Sequence, residues 1–350
     1  MSTYAGHFES GEMHASDTRS AARDDFIPDV SVVVPTYRRP AMLERCVRAL
    51  ATQAYDAARY EIIVCDDGPD DATRACVQRL AAAHAPRGPK IRYVAVTGTQ
   101  GPAGARNAGW HASLASRIAF TDDDTIPDAN WLANGVRALD AGADAVSGRI
   151  VVPLPERPSD YELDAAGLAS AEFATANTFA TRAALERTGG FDARFTAAWR
   201  EDSDLQFALI HAGFRIARAD DAMVLHPVRP ARWGVCISQQ KKSQFDALLY
   251  KKHRALFRER IRHGPPLLYY AMLAVLVVAV VSLIAGGSRI AAFAALAWAA
   301  MTLWFAAQRL KTTSRTPAHI AEMIWTSAII PYLSIYWRIR GALKFRVFFL

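Results

Sequence analysis

Three carboxylates stand side by side in F-T-D-D-D-T, Phe120 to Thr125. Like charges packed this closely need water, a cationic partner or a metal to take them up. Asp122 and Asp124 flank Asp123, so in an extended segment they point to one side. Mg²⁺ and Mn²⁺ are held by one or two carboxylates together with substrate phosphates. Such a pair could therefore seat a divalent metal that offsets the charge developing on a departing phosphate; a solvated turn is the competing reading. Further on, W-R-E-D-S-D-L (Trp199 to Leu205) sets three acids at an expected helix start. They would complement the helix dipole, with Asp202 or Ser203 as a cap. Alternatively one carboxylate, partly desolvated beside Trp199, serves as a general base. His226 in V-L-H-P reads as structural on its own, but a neutral imidazole there would complete a metal site with Asp124.

Two further clusters are weak when taken singly. V-C-D-D-G carries Asp66 and Asp67 into a turn at Gly68 and Pro69, which an ordinary βα turn would also do. In G-P-A-G-A-R-N-A-G (101–109) the glycines allow close backbone approach, and free N–H groups with Arg106 would suit a phosphate. A solvated surface Arg explains the same residues. No G-x-G-x-x-G follows the first expected strand and no G-x-x-x-x-G-K-[ST] occurs, so the usual dinucleotide and P-loop readings are excluded.

Positioning these groups requires elements. The β-branched run S-V-V-V-P (31–35) fits a strand covered on both faces, and 61–65, 91–96 and 117–121 follow as strands. Helices are expected over 41–52, 71–84 and 105–116. This β-α-β-α order predicts a parallel sheet with right-handed crossovers, in which ligands gather beyond the carboxyl ends of the strands. P-T-Y-R, D-D-G and T-D-D-D all directly follow strands. Residues 150–228 read as the second half of the unit, with a mixed sheet. They hold an extended A-N-T-F-A-T, a helix from Arg182 to Thr188, the loop G-G-F-D-A-R-F, and a helix over 202–212 stopped by Gly213.

In order, V-S-V-V-V-P-T-Y-R-R-P, E-I-I-V-C-D-D-G, A-R-N-A-G, I-A-F-T-D-D-D, G-G-F-D and R-E-D-S-D-L resemble the family-2 glycosyltransferases, over residues 30–228. That resemblance implies an α/β fold of GT-A type, Rossmann-like, with a mostly parallel central sheet flanked by helices. It implies a nucleotide-sugar donor and a divalent metal, Mg²⁺ or Mn²⁺. By the same resemblance Pro35, Tyr37 and Asp67 hold the base and ribose, and Arg106 lies beside the diphosphate. Asp122 and Asp124 contact nucleotide sugar and metal, with Asp124 the direct ligand and His226 a downstream one. Asp202 becomes the catalytic base of an inverting displacement, with Glu201 in support, while Asp123 is left as a spacer. The segment 177–195 is expected to be a loop that positions the acceptor. The family's processive synthases carry Q-x-x-R-W after the base, whereas residues 239–246 here read Q-Q-K-K-S-Q-F-D. Transfer of a single sugar is therefore expected. A polyprenyl-phosphate sugar synthase is the alternative within the family. Outside it stand a nucleotidyltransferase, which would carry a Gly-rich basic loop after the first strand, and a non-catalytic nucleotide-sugar-binding module.

The last third changes solvent. From Arg229 onward 18 Lys and Arg face three acids, while the remainder carries 23 against 31, so the net +7 comes from the C-terminal part. Residues 267–285 form 19 positions without a charge, long enough for a bilayer core, and 290–307 are a second candidate. Arg254, Arg258, Arg260 and Arg262 precede this pair, and Arg309, Lys311 and Arg315 follow it. A hairpin with both flanks cytoplasmic obeys the positive-inside rule; two buried hairpin helices are the competing reading. A third stretch, 318–337, contains Glu322 and Pro331 and runs into Arg338, Arg340, Lys344 and Arg346. It is expected as an interfacial or re-entrant element, or a third helix. Cations beside long apolar runs point to anionic lipid and not to nucleic acid.

The expected layout is a flexible tail (1–29), a catalytic domain (30–228, with donor half 30–148 and acceptor half 149–228), a basic juxtamembrane helical segment (229–263) and a membrane segment (264–350). The expected location is the inner, cytoplasmic membrane, integral, with the catalytic domain in the cytoplasm and a lipid-linked or saccharide acceptor. Residues 1–29 lack the basic and apolar regions of a secretory signal. Cys46, Cys65, Cys76 and Cys236 form no metal or C-x-x-C pattern and read as small core residues in a reducing compartment.

Overall fold

Alternate residues of the first two strands enter different cores. In β1 (Val30–Thr36) and β2 (Tyr60–Asp66), Val32, Val34, Ile62 and Val64 face one side of a sheet, where they meet Leu43, Cys46 and Val47 of α1 (Pro40–Ala51) and Val77 and Leu80 of α2 (Asp71–His84). Val33, Ile63 and Cys65 face the other side and meet Ala103 and Trp110 of α3 (Pro102–Ala112). Burial on both faces is why these strands read as continuous apolar runs and not as alternating ones. The α3 helix lies close against the sheet: a Cβ on Gly109 would sit 2.3 Å from Val33 Cγ1.

The computed structural model describes residues 27–349, so residues 1–26 of the expected tail lie outside the described residues. The remaining strands are β3 (Lys90–Ala95), β4 (Arg117–Thr121), β5 (Ile126–Pro127), β6 (Ala145–Val151), β7 (Asn177–Thr181) and β8 (Ile216–Leu225). Between them run α4 (Trp131–Asp140), α5 (Asp160–Ala165), α6 (Arg182–Thr188) and α7 (Glu201–His211). The eight strands among the described residues form one sheet in the order β3-β2-β1-β4-β7-β6-β8-β5. The pairs among β3, β2, β1 and β4 are parallel, as is β6 with β8, while β7 and β5 run against their neighbours. The sheet is thus mostly parallel, and mixed in its second half as expected.

Three local expectations are corrected. The α3 helix starts at Pro102, three residues before the expected 105, and stops at Ala112 short of 116, since Pro at the first helical turn is favourable. Residues 177–195 are not a loop: they hold β7, α6 and only then the turn at Gly189 and Gly190. Residues 229–263 are more than a juxtamembrane strip. Beyond α8 (Val235–Gln239), α9 (Gln244–Lys252) buries Phe245, Leu248, Leu249 and Tyr250 against Phe195 and Phe207, and Leu256 of α10 (Arg254–Leu256) and Phe257 of the π-helical turn after it join the same core.

Two helices, α11 (Leu267–Ile284) and α12 (Ser288–Arg309), are long and apolar enough to cross a membrane, and most of their side chains are unburied. The third stretch is neither broken nor re-entrant. It is one 29-residue helix, α13 (Pro317–Phe345), that continues through Pro331 and is not among the membrane-length apolar helices. Its buried residues, including Met323, Ile330, Ser334, Arg338 and Gly341, recur at helical spacing along one stripe, and it packs on α9. At their crossing, a Cβ on Gly341 would lie 2.3 Å from Gln244 O.

Candidate active site

The carboxyl ends of β1, β2 and β4 open on one side of the sheet, and β8 delivers a fourth group there. The two-residue β5 explains how. Ile126 pairs with Leu225 and Pro127 with Val224 in antiparallel register, so Asp124, just before β5, meets His226, just after β8. Ligand atoms of Asp122, Asp124 and His226 all lie within 4.8 Å of one another. His226 Nε2 is 3.5 Å from Asp124 Oδ1, too far for a hydrogen bond. Among the described residues Asp124 Oδ2 makes no hydrogen bond and is met only by ion contacts from Arg229 Nε at 3.0 Å and Arg39 Nη1 at 3.8 Å. Two carboxylates, one imidazole and a buried carboxylate oxygen without a hydrogen bond suit a hard divalent ion.

The segment that carries these acids is a turn, not the expected extended stretch. Thr125 N–H donates to Asp122 O at 3.2 Å and the Thr125 hydroxyl donates to the same oxygen at 2.8 Å. Nor is Asp123 a mere spacer. It is buried, accepts from the Thr36 hydroxyl at 2.7 Å and pairs with Arg39 at 3.2 Å, which fastens the end of β4 to the end of β1. Burial pushes its carboxyl up to about 6, although Arg39 and Thr36 work against that.

Arg106 ties this group to the second acidic motif. It is buried and not a solvated surface residue, donating from Nη2 to Asp122 Oδ1 at 2.7 Å and from Nη1 to Glu201 Oε1 at 3.2 Å. Burial works to raise Asp122, but Arg106 foremost, with His226 and Arg39, together hold the carboxyl below its ordinary value. Glu201 is buried at the start of α7, where burial and then the charge of Asp202 push it up to about 8. Neither Asp202 nor Ser203 caps that helix, because Arg200 occupies the cap with a left-handed φ of 76°. Asp202 is partly exposed and is oriented by Thr175, whose hydroxyl donates at 2.6 Å and whose N–H donates at 3.2 Å. Burial raises its pKa against the opposing pull of Arg106. The expected neighbour Trp199 turns away: its indole N–H donates to Asp246 at 3.0 Å.

At the far side, Asp67 accepts the Gly101 N–H at 2.8 and 2.9 Å, linking the D-D-G turn to the start of α3. Burial raises its carboxyl pKa. Its neighbour Asp66 is wholly buried and accepts from Tyr93 at 2.9 Å. Pro35 is half-buried near the end of β1, in register with Cys65, and exposed Tyr37 lies over Gly68, where a Cβ would come within 2.5 Å of the ring. Asn107 holds the G-G-F-D turn in place, its amide accepting the Phe191 N–H at 3.0 Å and donating to Phe191 O at 2.7 Å. Asp122, Asp124, His226, Arg106 and Glu201 are thus brought together, with Asp202 next in the chain to Glu201, while Pro35, Tyr37 and Asp67 lie at the carboxyl ends of β1 and β2. Arg39, Arg229 and Thr175 were not singled out. Y-R-R-P and H-P-V-R-P carried a signal for the two arginines; nothing in F-A-T-A-N marked Thr175.

A mixed sheet with flanking helices, acids at strand ends and an E-D pair at the start of α7 define a sugar-nucleotide transferase of GT-A type. Residues 31–205 match the profile of glycosyl transferase family 2, and the chain belongs to that family and is a glycosyltransferase. The glycosyltransferase AglE of Haloferax volcanii is 26% identical over 218 residues, 58% of this chain and 68% of that protein. A GalNAc(5)-diNAcBac-PP-undecaprenol beta-1,3-glucosyltransferase of Campylobacter jejuni is 34% identical over 99 residues, 28% of this chain and only 30% of that protein. In fold, the mannosyltransferase PcManGT of Pyrobaculum calidifontis, solved with GDP-Man and Mn²⁺, superposes with a TM-score of 0.52 at 20% identity, over 92% of this chain and 88% of that one.

Proposed function

We propose that the protein moves one sugar from a nucleoside-diphosphate sugar to a hydroxyl of a lipid-linked acceptor at the membrane surface, with inversion. The observation that carries this reading is the Arg106 bridge. One buried guanidinium joins the Asp122–Asp124–His226 cluster to Glu201, next to Asp202, so donor group and base share one frame.

In this reading Pro35, Tyr37 and Asp67 hold the base and ribose, and Arg106 stands beside the diphosphate. Asp122, Asp124 and His226 would hold Mg²⁺ or Mn²⁺, which when bound neutralises charge on the leaving diphosphate. Asp202, held by Thr175, accepts the proton of the acceptor hydroxyl. That oxygen bonds to the anomeric carbon as the bond from that carbon to the phosphate oxygen breaks, and the nucleoside diphosphate departs. Glu201, pushed up to about 8, keeps its proton near neutrality, which leaves Asp202 as the acid free to take one.

The membrane part of the reading rests on the apolar shell of α11 and α12. Val277, Val278, Val281, Leu283, Phe293 and Leu296 are all exposed, a continuous patch that water does not tolerate but lipid does. Basic residues at both ends support a catalytic unit on the cytoplasmic side. The undecaprenol-linked acceptor in the Campylobacter protein's name supports a lipid-linked acceptor here. The test is transfer by purified protein, reconstituted in vesicles, from a panel of nucleotide sugars to lipid-linked and soluble saccharides. Transfer to soluble saccharides alone would remove the lipid from the reading. Transfer onto a bare polyprenyl phosphate would favour the sugar-phosphate synthase instead.

A further inference from the structure

Next to the donor group lies a cavity of about 520 Å³ that the transfer chemistry above does not use. Its walls come from the start of α5, the loop from Val228 to Trp233, the start of α8 and one turn of α13. Arg309, the last residue of α12, donates to both carboxylate oxygens of Asp160 at 3.0 and 2.7 Å, and to Thr326 and Ser327 of α13 at 2.8 and 3.0 Å. Ser314 N–H donates to Pro158 O at 2.8 Å just beyond. One wall is therefore fastened to the basic end of the apolar hairpin. Another wall carries Arg229, whose Nε reaches Asp124 at 3.0 Å. The cavity runs from the foot of the hairpin to the edge of the candidate metal group.

Its charges are unequally satisfied. Asp160 is paired with Arg309, Glu162 accepts the Ser159 N–H and hydroxyl at 2.7 and 2.9 Å, and Glu322 accepts the Gly234 N–H at 2.6 Å and pairs with His319 at 3.4 Å. The cations are less engaged. Arg232 is exposed and its side chain has no hydrogen bond or ion pair among the described residues, and the Arg229 side chain is 45% exposed. Beside them Trp233 is 56% exposed, its indole N–H donating to Ala318 O at 3.3 Å. Guanidinium groups take phosphate oxygens in a bidentate fashion, and Trp sits well where apolar chains meet water.

We propose that this cavity holds the phosphate end of the lipid-linked acceptor, with Arg232 and Arg229 on the phosphate oxygens and Trp233 against the first apolar segment of the lipid. This deepens the acceptor reading above and rests on it. A lipid entering along the hairpin would bring its phosphate to Arg232, and the attached acceptor group would extend past Arg229 toward Asp202.

The test measures equilibrium binding of farnesyl phosphate to the full chain in detergent, with inorganic phosphate and farnesol as separate arms. Wild-type protein should bind farnesyl phosphate more tightly than either. Arg232→Glu should weaken that binding about ten-fold or more, the value of one charge-assisted phosphate contact. Lys311→Glu, a charge reversal outside the cavity, should bind as wild type does. Unchanged binding in Arg232→Glu would overturn the proposal. So would inorganic phosphate binding equally well, which describes a free-anion site, or farnesol doing so, which describes an apolar slot. Transfer by the same wild-type preparation to lipid-linked saccharides, together with binding insensitive to Arg232→Glu, would overturn this cavity alone. Transfer to soluble saccharides only would overturn the acceptor reading and the cavity with it.

Discussion

Asp202 and Asp124 sit in different electrostatic settings, and their variants should fail differently. Asp202→Asn keeps the shape and the Thr175 hydroxyl as a partner but removes the proton acceptor. Turnover should fall by about 10²–10⁴-fold while nucleotide affinity stays near wild type, as read by single-turnover kinetics and calorimetry. Asp124→Ala should instead abolish the dependence of nucleotide binding on Mn²⁺, seen by titrating metal against nucleotide. Asp123→Ala should keep that dependence and lose about 1–3 kcal/mol of stability with the Thr36 hydrogen bond. The pH profile follows from the direction of the Asp202 shift. Its pKa is raised in the folded protein, and the base must be unprotonated to act. Activity should therefore fall as pH drops through a value above the ordinary carboxylate range, earlier than for a solvated Asp. An acid limb at or below that of a free carboxylate would contradict the assignment. The order of motifs made Asp122, Asp124, Asp202 and His226 legible in the sequence. Arg39 and Arg229 were marked only by Y-R-R-P and H-P-V-R-P, since each meets its acid far along the chain; Thr175 meets Asp202 across 27 residues and leaves no local spacing to read.

At the scale of elements, the continuous β-branched strands and the helices α2 and α6 could be read directly, since each carries its own periodicity and length. The two-residue β5 could not. It is too short for a period, and its reason to exist is a pairing with β8 a hundred residues away. That pairing also explains why the acidic segment is a turn, because the chain must reverse between β4 and β5. Close packing of α3 gives a test of positioning. Gly109→Ala would drive a methyl to within 2.3 Å of Val33 and 2.7 Å of the Cys65 sulfur. The helix must then move off the sheet and carry Arg106 with it. A loss of about 1–3 kcal/mol in thermal or denaturant unfolding is expected, together with reduced nucleotide affinity. A stable variant with normal affinity would show that Arg106 is not positioned through this contact.

The whole molecule couples a catalytic unit to an apolar hairpin through α9, α13 and the Arg309–Asp160 pair. Charge partition and uncharged runs made the hairpin legible. The docking of α13 was hidden because its one apolar stripe, interrupted by Pro331 and cations, resembles an interfacial helix until α9 covers it. The consequence is practical. Cutting the chain at residue 264 removes α13 as well as the hairpin, and strips Ala342, Phe345 and Phe349 from the core built on Phe245. Such a fragment should aggregate, so the anchor is better tested on the intact chain, which should resist extraction from membranes by alkaline carbonate. Release by carbonate would contradict the spanning hairpin. Sugar transfer at one metal-and-base frame is checked by release of nucleoside diphosphate from a panel of nucleotide sugars in the presence of lipid-linked acceptor. Release is expected from one donor class, requires Mn²⁺ or Mg²⁺, stops with chelator and is lost in Asp202→Asn. Release at the wild-type rate by Asp202→Asn, or release indifferent to chelator, would contradict it.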